Sequence, residues 1–254
     1  QISLVAAKRS IEQQTNELKS TISGRDKLYS VIAHDLRSPL GSIKMVLNML
    51  VTTLVPENVG EEMFQLMKEA NHIAEDTFSL LDNLLKWTKS QTGKLNIVYQ
   101  DIDIVDIMDD IVEIFKLNAQ LKDIQITYKN DVHVMVRTDV DIVKTIMRNL
   151  LSNAIKYSNS GGSINVTTED SDGFAIVHVA DHGLGISKEG QEKLFKQDVH
   201  FTTFGTANEE GSGLGLILVK DFVDKIGGKI WFESEEGKGS TFSFSIPKAT
   251  GTPL

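Results

Sequence analysis

The sequence predicts an all-α helical hairpin followed by an α+β sandwich, and three observations carry that expectation. Two long segments within residues 25–92 bear apolar seams at heptad spacing. After Gln91-Thr92-Gly93-Lys94 the pattern changes to short strand signals mixed with amphipathic helices. In that second part strands and helices do not alternate strictly, which favours an α+β arrangement over a doubly wound parallel sheet.

Residues 1–24 are polar and helix-permissive, with thin heptad traces at Leu4, Ile11 and Leu18, and read as a signalling or linker helix. The first strong helix is expected from Arg25 to Leu54. Its Leu36, Leu40, Ile43, Leu47, Leu50 and Leu54 are spaced 4, 3, 4, 3, 4. On a helical wheel His34 lies roughly 160° from Leu36, nearly opposite the seam, with Ser38 one turn further on the same face. Pro39 removes one backbone hydrogen bond there and bends the axis. Val55-Pro56-Glu57-Asn58-Val59-Gly60 reads as a turn.

The second helix carries Met63, Leu66, Ala70, Ile73, Thr77, Leu80, Leu84 and Trp87 as its seam, flanked by Met67, Ala74, Phe78, Leu81 and Leu85. A short connection makes the pair antiparallel. One hairpin cannot cover apolar faces this broad. A homodimer closing a four-helix bundle is therefore expected, the alternative being that the hairpin packs on the second part of its own chain.

In that second part strands are expected at Leu95–Tyr99, Ile124–Lys129, His133–Arg137, Ser163–Thr168, Ala175–Ala180, Lys229–Ser234 and Thr241–Ile246. Helices are expected at Ile104–Gln120, Val140–Tyr157 and Gly213–Ile226. The domain reading is thus 1–24, 25–92, 95–248 and a tail at 249–254.

Composition narrows the function. A net charge of −9 argues against non-specific nucleic-acid binding. The absence of cysteine excludes disulfides and thiolate metal sites and fits a reducing cytoplasm. No apolar run approaches the length of a membrane span. The chain begins at Gln1 without a signal peptide and reads as a piece of something longer, so any membrane attachment is expected in parts absent from it.

Three stretches of the second part carry chemistry. On the expected helix 140–157, Thr145, Asn149, Asn153 and Lys156 are spaced 4, 4, 3 and share one polar stripe. Two amides and an ammonium there could hold Mg²⁺ and the phosphates around it, because an amide oxygen is a suitable hard ligand. The same stripe also reads as a solvated helix face. Asp181-His182-Gly183-Leu184-Gly185-Ile186 follows a strand, and its glycines admit a flat ligand while the carboxylate can accept from an exocyclic amine. Gly211-Ser212-Gly213-Leu214-Gly215-Leu216 opens the last helix, whose free N–H groups and positive dipole end suit phosphate oxygens. The long polar segment between Ile186 and Gly211 reads as a lid over a nucleotide.

With these motifs in order, residues 25–248 resemble the catalytic core of a sensor histidine kinase of a two-component system. His34-Asp35-Leu36-Arg37-Ser38-Pro39-Leu40 resembles that family's phosphoacceptor motif. The amide stripe, the D-x-G-x-G turn, Lys193-Leu194-Phe195 and Gly211–Leu216 resemble its four ATP-binding motifs. The resemblance implies a dimeric helical hairpin followed by a Bergerat-type ATP-binding sandwich, of the kind shared with DNA gyrase and mismatch-repair ATPases. It implies ATP and Mg²⁺ as ligands, phosphorylation of His34, and relay to an aspartate of a response-regulator receiver domain. It implies a cytoplasmic location for this part of a membrane-anchored receptor.

Position by position, His34 is similar to the nucleophile and Asp35 to the acid that orients its ring. Asn153 is similar to the Mg²⁺ ligand, with Asn149 beside it, and Lys156 and Tyr157 fall at phosphate- and nucleotide-side positions. Asp181 resembles the adenine reader, and Gly183, Gly185 and Ile186 line that pocket. Gly211, Gly213, Leu214 and Gly215 match the phosphate side, and Lys193, Phe195 and Thr241 also fall among the nucleotide's expected neighbours. Two departures stand out. Where the family's regulator phosphatases carry Thr or Asn four residues after the histidine, this sequence has Ser38, which leaves a weak phosphatase activity open. Where many members carry a lid arginine, this sequence has none between Asp181 and Leu216, and Lys193 or Lys196 is assigned that role. The alternative function is a nucleotide-binding pseudokinase that signals through dimer geometry.

Overall fold

The computed structural model describes residues 36–37, 39–54, 59–93, 95–129, 132–195, 203–206 and 213–249. The expected sites His34, Asp35, Ser38, Lys196 and Gly211 lie outside the described residues, as do the linker helix 1–24, the turn at 55–58 and most of the tail. The chain divides into two compact units, one ending at Asn96 and the other beginning at Ile97. Among the described residues no helix is long and apolar enough to cross a membrane.

The first unit is a helical hairpin. Helix α1 covers residues 39–53, with 36–37 also helical, and α2 spans Glu61–Gln91. Arg37 pairs with Asp82, Gly41 faces Phe78, and Lys44 meets Glu75 at 3.8 Å. As one index rises the other falls, so the helices run antiparallel, as expected.

The contact face is the flanking stripe. Ala74, Leu81 and Leu85 of the flanking stripe are the buried hydrophobic residues among those described in α2, with Leu40 and Leu84 packed around Leu81 and Leu85. Met63, Leu66 and Ile73 of the seam stay 49%, 55% and 61% exposed. Two adjacent stripes on one helix can each face a partner. α1 takes the flanking one and leaves Met63, Leu66, Ile73 and Leu80 of the seam open.

The second unit is an α+β sandwich. Its five-stranded sheet has the order β2 (Gln125–Lys129), β4 (Ser163–Ser171), β5 (Phe174–Asp181), β7 (Gly239–Pro247), β6 (Ile230–Glu235). The β2–β4 pair is parallel and the other pairs are antiparallel. A separate ribbon pairs β1 (Gln100–Asp103) with β3 (Met135–Thr138). Helices α3 (Ile104–Gln120), α4 (Val140–Tyr157) and α6 (Gly215–Lys225) cover one sheet face, and α5 (Lys188–Gln191) is a short turn.

Strand alternation puts Val166, Val177, Val179 and Phe244 on the sheet face that those helices cover, and Ile146, Met147, Leu150, Leu218 and Phe222 of the helices are buried as well. Burial of this apolar layer is the main stabilising term. Truncating Met147, which has no exposed surface, to Ala would cost about 2–5 kcal/mol.

Helices α3 and α4 start where expected because an aspartate caps each. Asp103 accepts from Val105 N–H at 3.0 Å, and Asp139 from Asp141 and Ile142 N–H at 3.0 and 3.1 Å. The expected strand Leu95–Tyr99 is a correction. Its alternation reads as β, but Val98 N–H is taken by the Asp139 carboxylate at 2.7 Å, and ladder pairing begins only at Gln100. Helix α6 starts at Gly215 rather than Gly213, whose φ of +67° is not helical.

Candidate functional site

Helix α4 supplies the first wall. Thr145, the first member of the predicted polar stripe, is instead buried, and its hydroxyl donates to Asp141 O at 2.7 Å. Asn149 donates from Nδ2 to Thr145 O at 2.9 Å, which turns its Oδ1 toward the start of α6. A Cβ at Gly215 would stand 2.8 Å from that oxygen, so a glycine there lets the two helices approach. Asn153 is half-buried, and its side chain makes no hydrogen bond among the described residues. Lys156 Nζ lies 5.0 Å from the centre of the Tyr157 ring, within cation–π reach.

The second wall is the end of β5. Asp181 is 8% exposed, and its Oδ1 accepts from Gly183 N–H at 3.0 Å and Ser240 N–H at 3.2 Å. Its Oδ2 takes no hydrogen bond among the described residues. Burial pushes the Asp181 carboxyl above the ordinary carboxylate range, against the two N–H donors and the nearby His182.

The turn after Asp181 is threaded between other backbones. A Cβ at Gly183 would stand 2.1 Å from Tyr157 O, and one at Gly185 2.0 Å from Glu235 O. The motif's glycines are therefore required by close approach. Leu184 N–H reaches Tyr157 O at 3.0 Å, and Ile186 N–H reaches Ser234 Oγ at 2.9 Å.

Gly213 and Leu214 lead into α6, which has no side-chain N-cap, so its first N–H groups are not taken by a capping side chain. Lys193 is engaged by Glu189 at 2.5 Å, an exposed pair that holds the Glu189 carboxyl below its usual range. Phe195 packs on Phe232 at 5.7 Å, and Phe232 stacks on Phe242 at 5.6 Å, so Phe195 anchors its segment to the sheet.

Thr241 is a second correction. It pairs in register with Ala180 and Glu233, so alternation puts it on the sheet face opposite Asp181. Its neighbour Ser240 is the residue beside Asp181. Ser234, Gly239 and Ser240 were missed because only the β5–β7–β6 register brings them to the turn. The glycine-rich run Glu236-Gly237-Lys238-Gly239-Ser240 was the available signal, and it reads equally well as a plain hairpin.

Comparison with known proteins identifies this arrangement. Residues 138–250 match the family model described as histidine kinase-, DNA gyrase B-, and HSP90-like ATPase. The catalytic domain of the histidine kinase ThkA is 30% identical, with a TM-score of 0.50 over 59% of this chain and 96% of that domain.

The chain belongs to the histidine kinase family.

The adaptive-response sensory kinase SasA of Rippkaea orientalis is 32% identical over 230 residues, 86% of this chain and 56% of that protein. This histidine kinase chain thus spans little more than half the length of that relative. Full-length ShkA in complex with AMPPNP has the same fold, with a TM-score of 0.67 at 22% identity over 89% of this chain and 47% of that one.

The C-terminal unit is accordingly an ATP-binding domain, and its residues fit the ligand. Among the described residues no protein donor meets Asp181 Oδ2, which leaves an acceptor of the kind an exocyclic amine needs. The glycines at 183 and 185 keep side chains out of the turn beside it. The amino end of α6 offers N–H groups to phosphates, and Asn153 offers a hard amide oxygen to a cation.

Proposed function

We propose that this chain is the cytoplasmic core of a sensor kinase that phosphorylates its own His34 from Mg²⁺–ATP and relays the phosphoryl group to an aspartate of a response-regulator receiver domain. The observation that carries the reading is the Asp181 carboxylate, buried at a strand end with both neighbouring N–H donors on Oδ1 and Oδ2 left for a ligand. Burying an acid is costly. A site for an amino-purine gives that acid a partner.

In this reading a neutral His34 imidazole attacks the γ-phosphorus with one ring nitrogen, and the bond from that phosphorus to the bridging β,γ-oxygen breaks, releasing ADP. Asp35 orients the ring and draws the proton on the other nitrogen, which keeps the attacking lone pair available. Phosphoryl transfer asks the protein mainly for positioning and charge neutralisation. Mg²⁺, held by Asn153 and the phosphates, supplies that neutralisation when bound. Asn149, Lys156 and the start of α6 hold the phosphate side.

The open seam of Met63, Leu66 and Ile73 supports a homodimer, because a second copy would cover it and close a four-helix bundle. The cytoplasmic placement follows from the need for ATP and for a regulator substrate.

Incubation with Mg²⁺ and γ-labelled ATP tests the proposal. Label bound to the protein, lost in acid and retained in base, is expected of a phosphohistidine. Protein that binds ATP yet takes up no such label overturns the kinase reading in favour of a signalling scaffold.

A further inference from the structure

We propose that Thr206 is a positioning residue for nucleotide binding, a latch that holds residues 203–206 against the carboxyl end of the helix carrying Asn153 and Lys156. The proposal rests on the nucleotide-site reading above and adds a residue outside its motifs.

The last turn of an α-helix leaves carbonyl groups without intrahelical donors. Of the last four carbonyls of α4, only Ala154 O is met locally among the described residues, by Ser158 N–H at 3.1 Å. The others are met from three distant segments. Lys122 Nζ donates to Ile155 O at 3.1 Å and to Lys156 O at 2.9 Å, placing an ammonium at the negative end of the helix dipole. Leu184 N–H, inside the D-x-G-x-G turn, donates to Tyr157 O at 3.0 Å. Thr206 N–H donates to Lys156 O at 3.1 Å.

The Thr206 hydroxyl lies 2.7 Å from Ser158 O and 3.2 Å from Lys156 O. A hydroxyl has one proton to give, so the shorter contact is its main bond. Nearby, the Tyr157 hydroxyl donates to Thr203 O at 3.3 Å. One helix end therefore gathers the turn before β2, the Asp181 turn, and residues 203–206.

Asn153 and Lys156 stand in the last two turns of α4, so their placement follows this junction. Lys122 and Leu184 tie it to fixed parts of the sandwich. Thr206 ties it to the chain that leads, seven residues later, to Gly213 and the amino end of α6. It makes that tie with both its backbone and its side chain. Losing the hydroxyl leaves Ser158 O without that donor and loosens residues 203–206 from the helix end. The loss is expected in nucleotide affinity rather than in the chemical step.

The test compares Thr206→Val, which keeps shape and N–H, with Thr206→Ser, which keeps the hydroxyl. Affinity for Mg²⁺–ATP is measured by calorimetry on the whole chain, alongside KM and kcat for self-labelling and the thermal midpoint. Loss of one net hydrogen bond predicts a rise of about fivefold in Kd and KM for Thr206→Val at unchanged kcat, with Thr206→Ser within about twofold of the parent. Equal affinity of Thr206→Val and parent overturns the latch, as does a Thr206→Ser variant impaired as much as Thr206→Val. A parent that binds ATP without labelling overturns the kinase reading alone, and the latch is then judged on Kd. A parent that binds no ATP overturns both.

Discussion

Gly185 stands against Glu235 so closely that a Cβ would lie 2.0 Å from the Glu235 carbonyl oxygen, at a φ of +63°. Gly185→Ala must push the Asp181 turn away from the β6–β7 connection. That strains the Gly237 N–H bond to Leu184 O at 2.7 Å. The expected cost is about 2–4 kcal/mol, strain and displacement together, with loss of ATP affinity. Gly237→Ala is the control, since it shares the positive φ but has nothing within 4 Å. It should cost only about 1 kcal/mol. Thermal unfolding and calorimetry check both, and equal effects would show that close approach is not what requires Gly185.

Asp181→Asn should separate stability from binding. Burial raises the folded carboxyl above the reference 3.8, so the folded chain holds the proton more readily than the unfolded chain. Stability therefore falls as pH rises from about 4 through the raised value, and the charged form is a standing cost at pH 7. The amide keeps an acceptor for Gly183 and Ser240 and carries no charge. The variant is expected to melt higher than the parent at pH 7, with the gap closing below about pH 4. Its ATP affinity should fall by at least about tenfold, since a charged acceptor becomes a donor. A variant that melts lower at pH 7 while keeping ATP affinity contradicts both halves.

Asp82 should show the opposite pH signature. Burial would raise this carboxyl, but Lys86 at 2.9 Å and the paired Arg37 overcome it and hold it below 3.8. The stability it contributes is present above about pH 4 and is lost as pH falls through the depressed value. Asp82→Asn is expected to cost the hairpin about 1 kcal/mol at pH 7 and nothing once the parent carboxyl is protonated. Helix melting followed by circular dichroism at the two pH values distinguishes this from a pH-independent packing loss.

Asn153→Ala should leave the fold intact. The side chain has no partner among the described residues, and alanine is the better helix former by a few tenths of a kcal/mol. The melting temperature is expected to hold or rise slightly, while Mg²⁺-dependent labelling falls by at least about tenfold. Unaltered labelling would remove Asn153 from the metal site.

Much of this architecture was readable because its signals are local. Helices Ile104–Gln120 and Val140–Tyr157 match expectation to the residue, since each has an amphipathic period and an aspartate immediately before it. The D-x-G-x-G turn was readable as a motif, though the reason for its glycines was not. Their neighbours, Tyr157 and Glu235, are distant in sequence and meet the turn only through the fold.

Thr241 failed for a related reason. A one-residue change of parity moves a side chain to the other sheet face, and parity depends on register with β5. Which of the two α2 stripes α1 covers was not legible, because both satisfy heptad spacing and only packing against α1 distinguishes them. Lys122 and Thr206 carry no motif and act through carbonyl groups that any sequence would supply.

The most direct test of the central claim is to map the acceptor by mass spectrometry on protein labelled with Mg²⁺–ATP and kept at alkaline pH. Phosphate is expected on His34, with no label on His34→Gln while its ATP affinity stays at the parent value. Phosphate on another residue, or label that persists in His34→Gln, would contradict it.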